Sequence, residues 1–278
     1  PGRPAWMVAE DLAPGDRKIL AREWPPLELA VVETTASPHF APAFDALWAE
    51  FGAAGEMEQP GVLAARMAWD PSAATGGYAM RYQLMVVLHE GKIAAVTDQT
   101  AILAEGTRAP VVHHSHILVA REWRRTGLAG WVRALPLATA RDLLRARGLP
   151  AGIPATLALE MEHPHPGFPA TLTRLAAMEK AGYKKIDPAR VPYIQPDFRP
   201  AHEIEQTGYR PVPLGLVVRR VGREDGDALD GAEVADIISA LHAMYACGLH
   251  PRDAEALRAA QRSGPSPVGR IPLVPPTS

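Results

Sequence analysis

Residues His114 to Leu135 read HSHILVAREWRRTGLAGWVRAL, and the fold is decided by how this stretch is read. Ile117 to Ala120 is a short apolar strand, Arg121 to Arg125 a basic turn, and Gly127-Leu128-Ala129-Gly130 the opening of a helix. The first amides of a helix lack intrahelical acceptors and sit at the positive end of the macrodipole, so they suit an anion. Small residues at that point let a phosphate come close to the backbone.

Outward from this stretch the chain alternates between two periodicities. Upstream, Tyr82 to His89 and Lys92 to Ile102 are strand-like runs separated by Glu90-Gly91, a two-residue hairpin signal. Before them, Leu27 to Thr34 reads as a strand. Phe44, Leu47, Trp48 and Phe51 lie on one face of a helix over 40–51, and a second helix begins at Pro60. Downstream, the helix runs to about Arg147 and stops at Gly148, with an interruption near Leu135 forced by Pro136. Ala155 to Met161 is a strand, Thr171 to Lys180 a helix, and Tyr183 to Ile186 and Leu214 to Val221 two more strands. Two further helices are expected over 231–245 and 252–262, then a Pro/Ser/Gly tail without regular structure.

Bulk properties narrow the function classes. The 278 residues suffice for a substantial core, and the 28 prolines fall mostly between periodic segments, which points to stiffened connections. A net charge of −2 offers no electrostatic basis for a nucleic-acid or anionic-membrane partner. No apolar run is long enough to cross a bilayer, and the acidic start does not resemble a signal peptide. One cysteine excludes an internal disulfide and a cysteine-based metal site. These features fit a cytoplasmic protein.

Arg124-Arg125-Thr126-Gly127-Leu128-Ala129 fits an R-x-x-G-x-A pattern, and Glu179-Lys180-Ala181-Gly182-Tyr183 an E-K-x-G-[FY] signature. In these motifs and in element order, the span from Leu27 to Val221 resembles the GNAT superfamily of acyl-CoA-dependent N-acyltransferases. The resemblance implies a mixed α/β (α+β) fold with a central mixed sheet and flanking helices. The chain then divides into an N-terminal extension (1–26), a GNAT-like domain (27–222) and a C-terminal helical appendage (223–278). It implies acetyl-CoA as acyl donor. The pyrophosphate would lie on Arg124, Arg125, Thr126, Gly127, Leu128, Ala129 and Gly130, and the pantetheine arm would pair with Ile117, Leu118 and Val119 as an added strand. It further implies transfer of an acetyl or other short acyl group to a primary amine by direct attack, without a covalent intermediate. The acceptor is a small molecule or a peptide or protein amine, and the appended helices could form a homodimer interface.

Such a reaction needs a base for the amine and a proton for the thiolate. Glu160 and Glu162, two apart at the end of a strand, share a face if the strand continues that far. Apolar flanks would raise a carboxyl pKa there, which suits a base. His116 shares a face with His114, opposite His113, and titrates near neutrality. At the position where many members of the family carry a proton-donating tyrosine stands Met178, which cannot donate. Tyr183 and Tyr193 are the candidate replacements, and Tyr193 with Gln195 could line an acceptor pocket. Two alternatives remain open at this point. One is an acyl-CoA-binding regulatory protein without catalysis. The other is a metal-dependent enzyme using His113, His114, His116, His163 and His165 with the two glutamates, although their spacing matches no standard metal pattern and no metal is expected.

Overall fold

In the computed structural model the described residues are 3–278, apart from 166, 168, 200, 250–251, 256, 258 and 260–266. Ten strands form one mixed sheet, in the order β1-β2-β3-β4-β5-β8-β6-β10-β9 with β7 paired to β8. The strands are β1 (Glu28–Val32), β2 (Tyr78–His89), β3 (Lys92–Ala104), β4 (Val111–Val119), β5 (Thr156–Met161), β6 (Lys184–Ile186), β7 (Tyr193–Gln195), β8 (Val212–Arg220), β9 (Ala228–Asp230) and β10 (Arg270–Val274). The helices are α1 (Phe40–Phe51), α2 (Pro60–Met67), α3 (Leu128–Val132), α4 (Pro136–Ala146), α5 (Pro169–Lys180), α6 (Ala201–Thr207) and α7 (Gly231–Ala246). The expected mixed α/β architecture with its element order is therefore present. No helix among the described residues is long and apolar enough to cross a membrane.

Local chemistry accounts for the joints. Glu90 and Gly91 both have positive φ, 50° and 74°, the requirement of a type I′ turn, whose twist matches that of paired strands. The hairpin they close pairs Tyr78 through His89 with Lys92 through Ala104, longer at both far ends than the expected runs. Pro136 opens α4 and separates it from the single turn of α3. The Glu179-to-Tyr183 motif is a helix stop. Gly182 has φ 80°, its amide bonds to Glu179 O, and the Tyr183 amide reaches back to Met178 O, so the last carbonyls of α5 are satisfied.

The sheet separates two sides. On one, α4, α5 and the N-terminal segment cover Leu103, Val112, Leu157 and Val217 and, further along, Met85 and Val87. On the other, α1 and α2 cover Tyr82, Leu84 and Val86, while α7 covers Ile102, Ala158 and Val218. Segments after residue 223 belong to this body. β10 pairs with β6 and β9, so part of the expected irregular tail is a strand of the sheet. The expected helix over 252–262 falls partly outside the described residues.

The N-terminal segment is wedged between the two motifs. Its 3-10 turn over Pro14–Ala21 places Asp16 in a two-pronged ion pair with Arg133 (2.7 and 3.2 Å), and Asp11 binds Arg141. A side chain at Gly15 would overlap the Lys180 carbonyl. Gly15→Ala is therefore expected to cost about 1–3 kcal/mol, the usual penalty of overpacking. Urea unfolding monitored by tryptophan fluorescence checks this, and an unchanged midpoint would mean the segment can lift off without loss.

Candidate active site

Strands β4 and β5 run parallel and pair only at Val111, Val112 and His113, opposite Thr156, Leu157 and Ala158. Beyond that point β4 stays paired with β3, and Leu159, Glu160 and Met161 pair with β8. The sheet thus opens into a V. Ile117, Leu118 and Val119, the residues expected to meet an extended amide arm, lie on its β4 side and are all half-buried.

A β-bulge shapes the inner part of β4. Asp98 pairs with His116 and Gln99 with His114, so Ser115 has no partner on β3. The extra residue shifts the alternation. His113 and His116 now point to the side of α1, α2 and α7, whereas His114 points to the other side and bonds Thr97 Oγ1. The strict alternation expected from the sequence, with His114 and His116 on one face, is overturned by this one residue.

At the apex of the V sits Glu160, its side chain 3% exposed. Its carboxylate accepts hydrogen bonds from the hydroxyls of Tyr193 and Tyr245 and from Gln195 Nε2 at 3.0 Å, and His113 Nε2 lies 3.3 Å away. Burial pushes this carboxyl upward, but His113 and the two tyrosine hydroxyls outweigh it, so the net direction is down. That reverses the expected upward shift, because strong donors surround the group from every side. Tyr193 and Tyr245 are held well above the ordinary tyrosine range by burial first and the Glu160 charge second.

His116 is a second center. Its Nδ1 lies 2.8 Å from Asp98 and its Nε2 3.0 Å from the Glu56 carbonyl. Burial opposes the charged ring, yet the Asp98 charge and hydrogen bond prevail and raise its pKa to about 9. With both nitrogens donating, His116 is an imidazolium, a fixed positive charge and not a base. His114 is driven the other way, to about 3, chiefly by burial. Nearby, buried Arg66 pairs with Glu58 and stands 5.9 Å from the centre of the Tyr245 ring.

Glu162 parts company with Glu160. The strand ends at Met161, and Glu162 turns to Thr171 Oγ1 (2.7 Å) and Arg174 on α5. It stays within electrostatic reach of Glu56, whose carboxyl is raised by burial first and the Glu162 charge second. Tyr183 is buried on the opposite side of the sheet from the apex, with Met178, so it cannot stand in for the missing hydroxyl. His163 and His165 are exposed. Among the described residues no three His, Cys, Asp or Glu are grouped as for a metal ion. His113, Ser115 and Tyr245 complete the apex; Ser115 and Tyr245 are not among the residues expected there, and Tyr245 comes from α7, 85 residues beyond Glu160.

The glycine loop is built for close approach. Gly127 has φ 99°, and a Cβ there would lie 2.8 Å from Ile19; Gly130 faces Ile19 and Asp16. Arg22 of the N-terminal segment donates to the Thr126 carbonyl. Arg125 has φ 66°, a left-handed conformation that costs a non-glycine residue about 1–2 kcal/mol. Among the described residues the Arg125 and Gly127 amides have no acceptor. Arg121, Arg124 and Arg125 are exposed around them. These donors fit a phosphate on the side of the loop that Ile19 leaves open.

No family model and no curated protein matches the chain. Solved structures do. An aminoglycoside acetyltransferase from an uncultured soil metagenomic sample is 14% identical, with a TM-score of 0.35 over 54% of this chain and 86% of its own. A tandem GNAT protein from the clavulanic acid biosynthesis pathway is 16% identical, with a TM-score of 0.33 over 85% of this chain and 67% of its own. An acetyltransferase of the GNAT family from Streptococcus pneumoniae is 15% identical, with a TM-score of 0.32 over 69% of this chain and 99% of its own.

Proposed function

We propose that this protein transfers an acetyl or other short acyl group from CoA to a primary amine. The observation that carries the reading is the parting of β4 from β5 directly beside a buried cluster of proton-carrying side chains. An extended amide-bearing arm can pair with the open edge at Ile117, Leu118 and Val119 by strand addition. The unpartnered amides of Arg125 and Gly127, with Arg124 and its neighbours, suit its phosphates. Bound there, CoA supplies an activated thioester, and the chain's own residues orient the acceptor and move protons. Glu160 holds His113, Tyr193 and Tyr245 at the apex, and His116, held between Asp98 and the Glu56 carbonyl, stands on the same side of the sheet. The acceptor is a small-molecule or peptide amine. Glu58 and Asp98 are paired with Arg66 and His116 on this side of the sheet, which leaves Glu160 as the carboxylate that favours an acceptor arriving as a cation.

Thermal unfolding with acetyl-CoA, CoA, ATP and NAD tests the donor. At a hundredfold excess over Kd a ligand of the native state adds about 2.7 kcal/mol, or roughly 5–10 °C for a chain of this size. We expect that shift with the CoA species alone, and thiol release from acetyl-CoA when an amine panel is added. A shift with ATP or NAD and none with CoA would end the reading. Binding without thiol release for any amine would instead favour the acyl-CoA-binding alternative.

A further inference from the structure

Ser115 is the bulged residue of β4, with no cross-strand partner on β3 or β5. It stands half-buried in the opening of the V, while the side chains of His113 and Glu160 are 4% and 3% exposed. Ser115 Oγ lies 3.1 Å from His113 Nδ1. On the far side of the same ring, His113 Nε2 lies 3.3 Å from Glu160 Oε2. Glu160 is in turn fixed by Tyr193, Tyr245 and Gln195. An ionised Glu160 selects the tautomer with the proton on Nε2, which leaves the Nδ1 lone pair facing the serine hydroxyl. A nucleophile within reach of a base, with the base oriented by a buried carboxylate, is the arrangement that activates a hydroxyl for attack on an acyl carbon. The ring nitrogens exchange roles relative to the best-known triads, but the constellation is defined by geometry and roles.

We infer that Ser115, His113 and Glu160 form a nucleophilic triad and that acyl transfer proceeds through an O-acyl-Ser115 enzyme. This rests on the acyl-transfer reading for its donor, and it replaces the direct attack expected from the sequence. In the first half, Ser115 Oγ bonds to the thioester carbonyl carbon as its proton passes to His113 Nδ1. The carbon–sulfur bond breaks, and the thiolate leaves with the proton returned by His113. In the second half, the amine nitrogen bonds to the ester carbon and gives one proton to His113. The carbon–Oγ bond then breaks, and Ser115 recovers its proton. No redox partner or metal is required. Residues 113 and 115, two apart, share a side as in any strand, and the bulge leaves Ser115 without a partner on β3.

Two probes test it on the whole chain. A fluorophosphonate, which reacts with activated serines whatever the natural donor, is expected to label wild type at Ser115 and to leave Ser115→Ala and His113→Ala unlabelled. Acetyl-CoA without amine, quenched in acid and followed by intact mass and peptide mapping, is expected to leave one acetyl group on Ser115. Ser115→Cys is expected to carry the same group as a thioester. Circular dichroism and unchanged melting of Ser115→Ala separate lost chemistry from lost fold, and Ser115→Cys keeps the test decisive if alanine disturbs the bulge. Absence of both labels on folded wild type, or full turnover by Ser115→Ala, overturns the triad. In those cases a CoA-dependent thermal shift leaves the donor reading standing. Fluorophosphonate labelling of Ser115 with no response to any CoA species upholds the triad and removes the donor.

Discussion

Replacing Glu58 by glutamine is expected to destabilise the protein by about 3–5 kcal/mol, the cost of stranding a buried charge whose partner has been removed. Arg66 is 2% exposed and Glu58 6%. Arg66 Nη2 donates to Glu58, and among the described residues its Nε and Nη1 have no other acceptor. Burial disfavours the charged guanidinium. Glu58 foremost, then Tyr245, Tyr82 and Asp98, overcome that and raise its pKa above the ordinary value. With Glu58 neutral, the largest of those compensations is gone. Domains are stable by only about 5–15 kcal/mol, so about a fifth or more of the total would be lost. Urea unfolding should show a lower midpoint at unchanged slope. The double variant Glu58→Leu/Arg66→Met should recover most of the loss, because apolar side chains in place of a buried pair are close to neutral. A loss under about 1 kcal/mol in Glu58→Gln would mean that Arg66 finds other partners.

The second large effect is a fall in stability on the alkaline side of neutrality, set by His116. Its pKa is about 9 in the folded chain, against an ordinary value near 6.5. Below pH 6.5 both folded and unfolded chains hold the proton, and the Asp98 pair contributes in full. Between 6.5 and 9 the unfolded chain releases its proton first, so stability declines as pH rises. Above 9 the contribution is gone. The gap between the two values corresponds to roughly 3 kcal/mol. Asp98 works in the opposite window: burial raises its carboxyl, but His116 lowers it further, and its contribution is lost in acid. Unfolding free energies at pH 6.0 and 9.5 should differ for wild type and converge for His116→Asn. Parallel pH profiles for the two proteins would show that the pair is not what couples stability to pH.

Much of the frame was legible because it rests on local rules. Glu90-Gly91 announces its hairpin through positive φ, Pro136 breaks a helix wherever it stands, and Gly182 stops α5 whatever surrounds it. The site was legible only in part. Glu160 and Tyr193 were both identifiable as acid–base groups, but their convergence depends on β7 lying beside β8, which no short-range pattern dictates. The bulge at Ser115 is invisible to a period-of-two reading, since it arises from the register against β3 and inverts which histidines share a side. Tyr245 and Arg66 come from helices whose sequences look like ordinary core. The glycines of the loop carry a double meaning. Their absent side chains can admit a phosphate, and they certainly admit Ile19 and Asp16.

The V between β4 and β5 also marks a seam in the sheet. Three register pairs join the four-stranded half that begins at Glu28 to the half that ends at Val274. Apolar clusters cross this seam on both faces, one under α7 that takes in Ile102 and Ala158 and one on the opposite side that takes in Val112 and Leu157. Across the seam run the bonds of Glu160, with His113 on one half and Tyr193 on the other. The same carboxylate that orders the proton-carrying groups thus also clasps the two sides of the seam. Because both faces of the seam are packed, one continuous core sets the width of the groove and the spacing of the apex side chains together.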